Sequence, residues 1–144
     1  MPKEKLVQKW LDCVHEDISA AEVLNNTGHW LYAGFLCHQA IEKALKAYWV
    51  DTYGSDPRYT HNHGILVEDC GLSEQLSEEH QRLIDLMVPL YIEARYPEHK
   101  AKATRMLNKE ASDYILKTTK ELILWIEERL PSRRPSDSSG STSK

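Results

Sequence analysis

The sequence predicts an all-α protein, an up-and-down bundle of four long helices and one short one. Three observations carry this. Apolar residues recur at steps of three and four along most of the chain. Capping residues, glycines and prolines separate the periodic stretches. No strand pattern and no internal repeat stands out.

The central helix is read first, because the others need it. Ala33, Leu36, Cys37, Ala40, Ile41, Ala44, Leu45 and Tyr48 fall on one face. The small residues Ala33, Ala40 and Ala44 let a neighbouring helix come close. Phe35 and Trp49 widen the apolar face, so this helix should touch partners on more than one side. Glu42 and Lys46 are four apart in the order that favours an ion pair.

The first helix is expected from about Lys3 to Asn25, with Val7, Leu11, Val14, Ile18 and Ala21 inward and Gly28 suited to a left-handed stop. The short connection that follows predicts antiparallel packing on the central helix. The central helix ends near Tyr53, before the turn residues Gly54-Ser55-Asp56-Pro57. Thr60-His61-Asn62 offers a cap for a short helix containing Ile65, Leu66 and Val67, and Gly71 stops it. Ser77 precedes the acidic first turn of a fourth helix, whose apolar residues are Leu83, Leu86, Met87 and Leu90. Pro89 lies inside it and should bend it. Pro97 ends it. Asn108 can cap a last helix with Ile115, Thr119, Leu122, Ile126 and Leu130 inward, up to Pro131.

The totals agree with one bundle, expected over residues 3–130. The chain has 144 residues, 28% of them charged and 41% hydrophobic, which is a globular rather than a disordered balance. Residues 131–144 are mostly Ser, Arg, Pro, Gly and Thr with nothing to bury, so a disordered tail is expected there. A net charge of -4 does not advertise nucleic-acid binding by the chain as a whole. Cys13, Cys37 and Cys70 form no CxxC pair and suit reduced thiols. There is no signal-peptide core and no apolar run long enough to span a bilayer, so the expected location is cytoplasmic.

Three motifs then carry a family resemblance. Ala33-Gly34-Phe35, with Gln39-Ala40-Ile41-Glu42-Lys43-Ala44-Leu45-Lys46-Ala47, resembles the signature helix of HEPN domains. Thr60-His61-Asn62 with Leu66 resembles that family's entry to the third helix. Tyr91-Ile92-Glu93-Ala94-Arg95-Tyr96-Pro97 resembles its ending of the fourth. The resemblance implies a helical bundle that often dimerises, is commonly encoded beside a minimal nucleotidyltransferase, and has been proposed to bind nucleotides. One branch of the family comprises metal-independent ribonucleases of toxin–antitoxin and defence systems. That branch carries an Arg and a His separated by four to six residues. Here Arg95 and His99 are separated by three, and Arg58 and His63, with four between them, lie in the connection after the central helix.

A metal-free ribonuclease needs a base near the 2′-hydroxyl and a cation on the phosphate. Arg95 and His99 are the weak candidates for those tasks, with helix capping and a solvated loop as their ordinary roles. The ligand-binding candidates are Gln39, Lys43, Lys46, Arg95 and Tyr96. Gln39, Lys43 and Lys46 share one helical face, and a basic connection with Lys100, Lys102, Arg105 and Lys109 follows Arg95. A cationic groove with an aromatic wall would suit a phosphate and a base. His61 has two readings, contact with a ligand phosphate or a part in capping the third helix. His61, His63 and Cys70 match no standard zinc spacing, so no metal and no cofactor is expected. His38 reads as an interior or interface histidine. Trp10, Trp30, Trp49 and Trp125 read as core or dimer contacts.

The sequence thus supports a non-catalytic HEPN-type binding module first. It is expected to form a homodimer, to act with a nucleotidyltransferase, and to take a nucleotide or RNA in its groove. A ribonuclease toxin and a purely structural dimerisation domain are the alternatives.

Overall fold

The computed structural model describes residues 1–95 and 107–133, with side chains through Pro89 and from Leu107 onward. Among these residues there are five α-helices and no strand. They are α1 (Lys3–Asn26), α2 (Trp30–Tyr53), α3 (His63–Asp69), α4 (Glu78–Arg95) and α5 (Lys109–Glu128). Single 3-10 turns lie at Ser73–Gln75 and Pro131–Arg133.

The ends are set by local chemistry. Gly28, Gly54 and Gly71 have φ of 84°, 70° and 72°, the left-handed region where a Cβ is strained. The Asn62 side chain accepts from the Ile65 N–H at 3.0 Å and caps α3. Ser77 Oγ accepts from His80 N–H at 3.0 Å, and Asn108 Oδ1 from Ala111 N–H at 2.8 Å, so α4 and α5 start where their side-chain acceptors stand. The expectation of an Asn62 cap is met, while the neighbouring His61 ring turns to Glu42 of α2.

Helix α2 is the hub, packing against α1, α3, α4 and α5. Ala33, Ala40, Ala44 and Ala47 are at most 1% exposed, so backbones can approach α2 closely on several sides. The expected stripes of α1 and α5 are inside: Val7, Leu11, Val14 and Ala21, then Ile115, Thr119, Leu122, Ile126 and Leu130 are buried, while Ile18 is half-buried. Helix α4 differs from expectation. Leu83, Ile84 and Met87 face the core, whereas Leu86 is 39% exposed. A stripe through 83, 84 and 87 already follows the helical period, which turns position 86 away. Helix α4 continues through Pro89. The expected place of Leu90 in its apolar face falls outside the described side chains.

Two contacts tie the chain ends to α2. Asp51, 3% exposed, accepts from the Ser132 N–H at 2.9 Å and from its hydroxyl at 3.0 Å. Lys3 Nζ donates to the Asp51 carbonyl at 3.1 Å. Pro131–Arg133, assigned by composition to the tail, is therefore an ordered turn, because a buried carboxylate needs donors and Ser132 supplies two. The rest of the expected tail, 134–144, lies outside the described residues.

Candidate functional site

The site grows out of the polar side of α2. Glu42 is central and only 8% exposed. One carboxylate oxygen accepts from Lys46 Nζ at 3.0 Å, one turn on, and the other lies 3.0 Å from His61 Nδ1. A carboxylate only accepts, so His61 donates to it from Nδ1. The spacing-based expectation of a Glu42–Lys46 pair is met, but the pair is inside the protein rather than on a solvated face.

What covers it is the segment between α2 and α3. Trp49 Nε1 donates to the Asp56 carbonyl at 3.2 Å, and Arg58 grips Asp69 with two bonds of 2.9 and 3.0 Å. Held at both ends, the segment lays Tyr59 beside the pair. Lys46 Nζ sits 5.9 Å from the Tyr59 ring centre and 5.8 Å from that of Trp10 on α1. Two aromatic faces and a carboxylate thus replace the water that the ammonium loses. The outer surface of Tyr59 stays open, with 90% of the residue exposed. Its ring meets His61 edge-on, with centres 5.9 Å apart.

Beneath His61, two more imidazoles are buried. His63 Nε2 donates to the His38 carbonyl at 2.9 Å, and the two rings stack with centres 3.9 Å apart. Burial, above all, lowers the His38 pKa to about 2 and the His63 pKa to about 4. Both are therefore neutral near pH 7. They support the site from below rather than exchange protons in it. Burial also raises the thiol pKa of Cys37 and Cys70 to about 12, so neither offers a thiolate nucleophile.

A cleft of about 240 Å³ opens beside this network, lined by Gln39, Glu42, Lys43 and His61. Lys43 donates to Asp17 of α1 at 2.8 Å. Gln39 and Lys43, two of the residues singled out in sequence, line the cleft together, while Lys46 lies buried behind Glu42. The helical face expected to be cationic is electrically balanced here, with Lys43 against Asp17 and Lys46 against Glu42. Arg95 closes α4 in its backbone. Its side chain, and Tyr96, His99, Lys100, Lys102 and Arg105, lie outside the described residues. Lys109, the last of that basic series, pairs with Asp113 at 2.7 Å. Among the described residues, no group of three His, Cys, Asp or Glu side chains has the geometry to hold a metal ion.

Tyr59, Asp17 and Trp10 escaped the sequence reading as members of one site. Their signal is weak, because Trp10 and Asp17 stand on α1 and Tyr59 in the connection after α2, and no local period links them to Glu42. Only the position of Tyr59 next to Thr60-His61 hinted at a role.

Comparison with known proteins adds the context. A family model described as the HEPN domain matches residues 7–129. The fold also matches the crystal structure of TT1696 from Thermus thermophilus, with a TM-score of 0.74 and 22% sequence identity, covering 86% of this chain and 98% of that one. At that identity the likeness shows the shared fold. No curated protein matches the chain significantly. Among the described residues, no helix is long and apolar enough to cross a membrane.

Proposed function

Because the chain belongs to the HEPN domain family, we propose that it is a non-catalytic binding module that takes a nucleotide or a stretch of RNA. In this reading it acts in the cytoplasm beside a minimal nucleotidyltransferase. The observation that carries the ligand is the cleft on the family's signature helix, where Gln39, Glu42, Lys43 and His61 gather polar groups next to the open Tyr59 ring. Such a combination of hydrogen-bonding side chains and an aromatic face suits a nucleotide unit. Family membership supports the companion enzyme. Arg95 and Tyr96, singled out in the sequence, remain proposed ligand contacts.

A symmetric pair of chains belongs to the proposal as well. It is supported by apolar side chains left on the surface of α1 and α5, with Val23 62% and Leu124 57% exposed. Light scattering of the purified chain should give twice the monomer mass. A monomer at high micromolar concentration removes the pair.

Calorimetry with nucleotides and short RNAs tests the ligand. Binding that weakens in Lys43→Ala while helical content is kept supports the module. If no nucleotide or RNA binds below millimolar concentration, the binding role falls. Co-expression with a minimal nucleotidyltransferase should give a complex that survives gel filtration.

A further inference from the structure

The cleft shows how its ligand is held. Among the described residues, both lysines near it are committed, Lys43 to Asp17 at 2.8 Å and Lys46 to Glu42 at 3.0 Å. A phosphate entering here would have to break an ion pair and would face two carboxylates. Its binding would be offset by that repulsion. The hydrogen-bonding capacity left over is of a different kind. The Gln39 amide, half-buried in the cleft wall, has no hydrogen bond among the described residues, and it offers two donors and an acceptor. Lys43 has N–H groups beyond the one given to Asp17, and the Glu42 carboxylate has lone pairs beyond those taken by Lys46 and His61. Donors and acceptors thus stand side by side at a site where each lysine is matched by a carboxylate. Beside His61 of the lining stands Tyr59, 90% exposed, its ring centre 5.9 Å from that of His61 and from Lys46 Nζ.

We infer that this cleft recognises the uncharged part of its ligand, the base and ribose of a nucleoside unit, and leaves the phosphate outside in solvent. The inference rests on the nucleotide-binding reading above and deepens it. The ribose hydroxyls and a base edge match the donors and acceptors of Gln39, Lys43 and Glu42. The exposed face of Tyr59 is the stacking surface. Volume agrees, since about 240 Å³ accommodates a group of nucleoside size rather than an oligonucleotide. An RNA would then be engaged through one unstacked residue rather than along its backbone.

The test is calorimetry of the full chain with adenosine, cytidine, their 5′-monophosphates and inorganic phosphate as probes. Each is run at about 20 and about 300 mM NaCl, conditions that separate screened from unscreened contacts. Expected is that at least one nucleoside binds within about threefold of its monophosphate at both salts, and that inorganic phosphate does not bind. Tyr59→Ala and Gln39→Leu should each weaken that nucleoside about tenfold, the scale of one lost stacking or polar contact. Both residues lie away from the core, and unchanged melting of the two variants confirms that the fold is kept.

If the monophosphates and phosphate bind, lose affinity steeply with salt, and the nucleosides do not bind, the inference is overturned while the nucleotide-binding reading stands. Nucleoside binding that ignores both substitutions also overturns it, because the ligand then sits elsewhere. If no probe binds, and neither does any longer RNA, both fall together.

Discussion

Two sets of ion pairs in this molecule use the same residue types and live in opposite surroundings. In the middle of α2, Glu42 and Lys46 have side chains only 11% and 8% exposed, covered by Trp10 and the α2–α3 segment. Along the seam of α1 and α5, Glu22 pairs with Lys120 and His15 with Glu127, but Glu22 and Lys120 are 43% and 44% exposed. The seam pairs edge a groove floored by Ile18, Ile123 and Leu124, open to water on its outer side. Water screens the seam charges and holds the partner that remains when one is removed. The α2 pair has no such reserve. Its members were desolvated together and depend on each other. Burial, rather than the presence of a pair, decides what a charge is worth here.

The strongest way to break the comparison is Glu42→Ala. It leaves the Lys46 ammonium buried without a carboxylate and His61 without its anchor, and it should cost about 3–5 kcal/mol in chemical denaturation. A loss below about 1 kcal/mol would show that Lys46 swings out to water, and would equate the two regions. The double change Glu42→Leu with Lys46→Met sharpens the point. It removes both charges and should recover most of the loss.

Acid should come next in size. His63 titrates near 4 when folded, below its ordinary 6.5, so the unfolded chain binds the proton more readily. Its contribution is present above pH 6.5 and is lost as pH falls from 6.5 towards 4, by about 1.4 kcal/mol per pH unit and about 3 kcal/mol in all. His38, with a pKa of about 2, adds a loss of the same sign over the same interval and below it. Melting temperatures followed from pH 7 to pH 4 should drop more steeply for the parent than for His63→Phe. Parallel curves would mean that the stacked imidazoles do not control acid stability.

Asp51 provides an intermediate case. Its carboxylate is buried, yet its partner Ser132 lies at the surface. Asp51→Ala should cost about 1–3 kcal/mol by calorimetry, the range for hydrogen bonds to a charged group. Ser132→Ala should cost less, since the backbone N–H bond survives. If both are silent, the C-terminal turn is not held through Asp51.

The smallest effect belongs to the seam. At concentrations low enough to keep the chain monomeric, Lys120→Ala removes the Glu22 pair in water and should change stability by about 0–1 kcal/mol. A loss as large as that of Glu42→Ala would mean that the seam is covered in solution, as the proposed pairing of chains would do.

The helices and their ends were legible in the sequence because the causes are local. Asn62, Ser77 and Asn108 bond to N–H groups three residues on, and Gly28, Gly54 and Gly71 relieve left-handed backbone within a single residue. The inward stripes of α1, α2 and α5 follow from the helical period alone. The Glu42–Lys46 pair followed from spacing too. Its burial did not, since a period tells which residues share a face and not what will cover it. That required the segment 54–62 to be clamped by Trp49 and Arg58, so that Tyr59 and His61 land on α2. The pairing of the cleft's lysine was likewise a tertiary outcome. Lys43 reads as a free cation until α1 brings Asp17 to 2.8 Å from it, a partner 26 positions away that no local rule selects. Leu86 and Ser132 make the same point from opposite sides: one apolar residue left in water and one tail residue drawn to a buried carboxylate, each by what the neighbouring elements had already occupied or left unpaired.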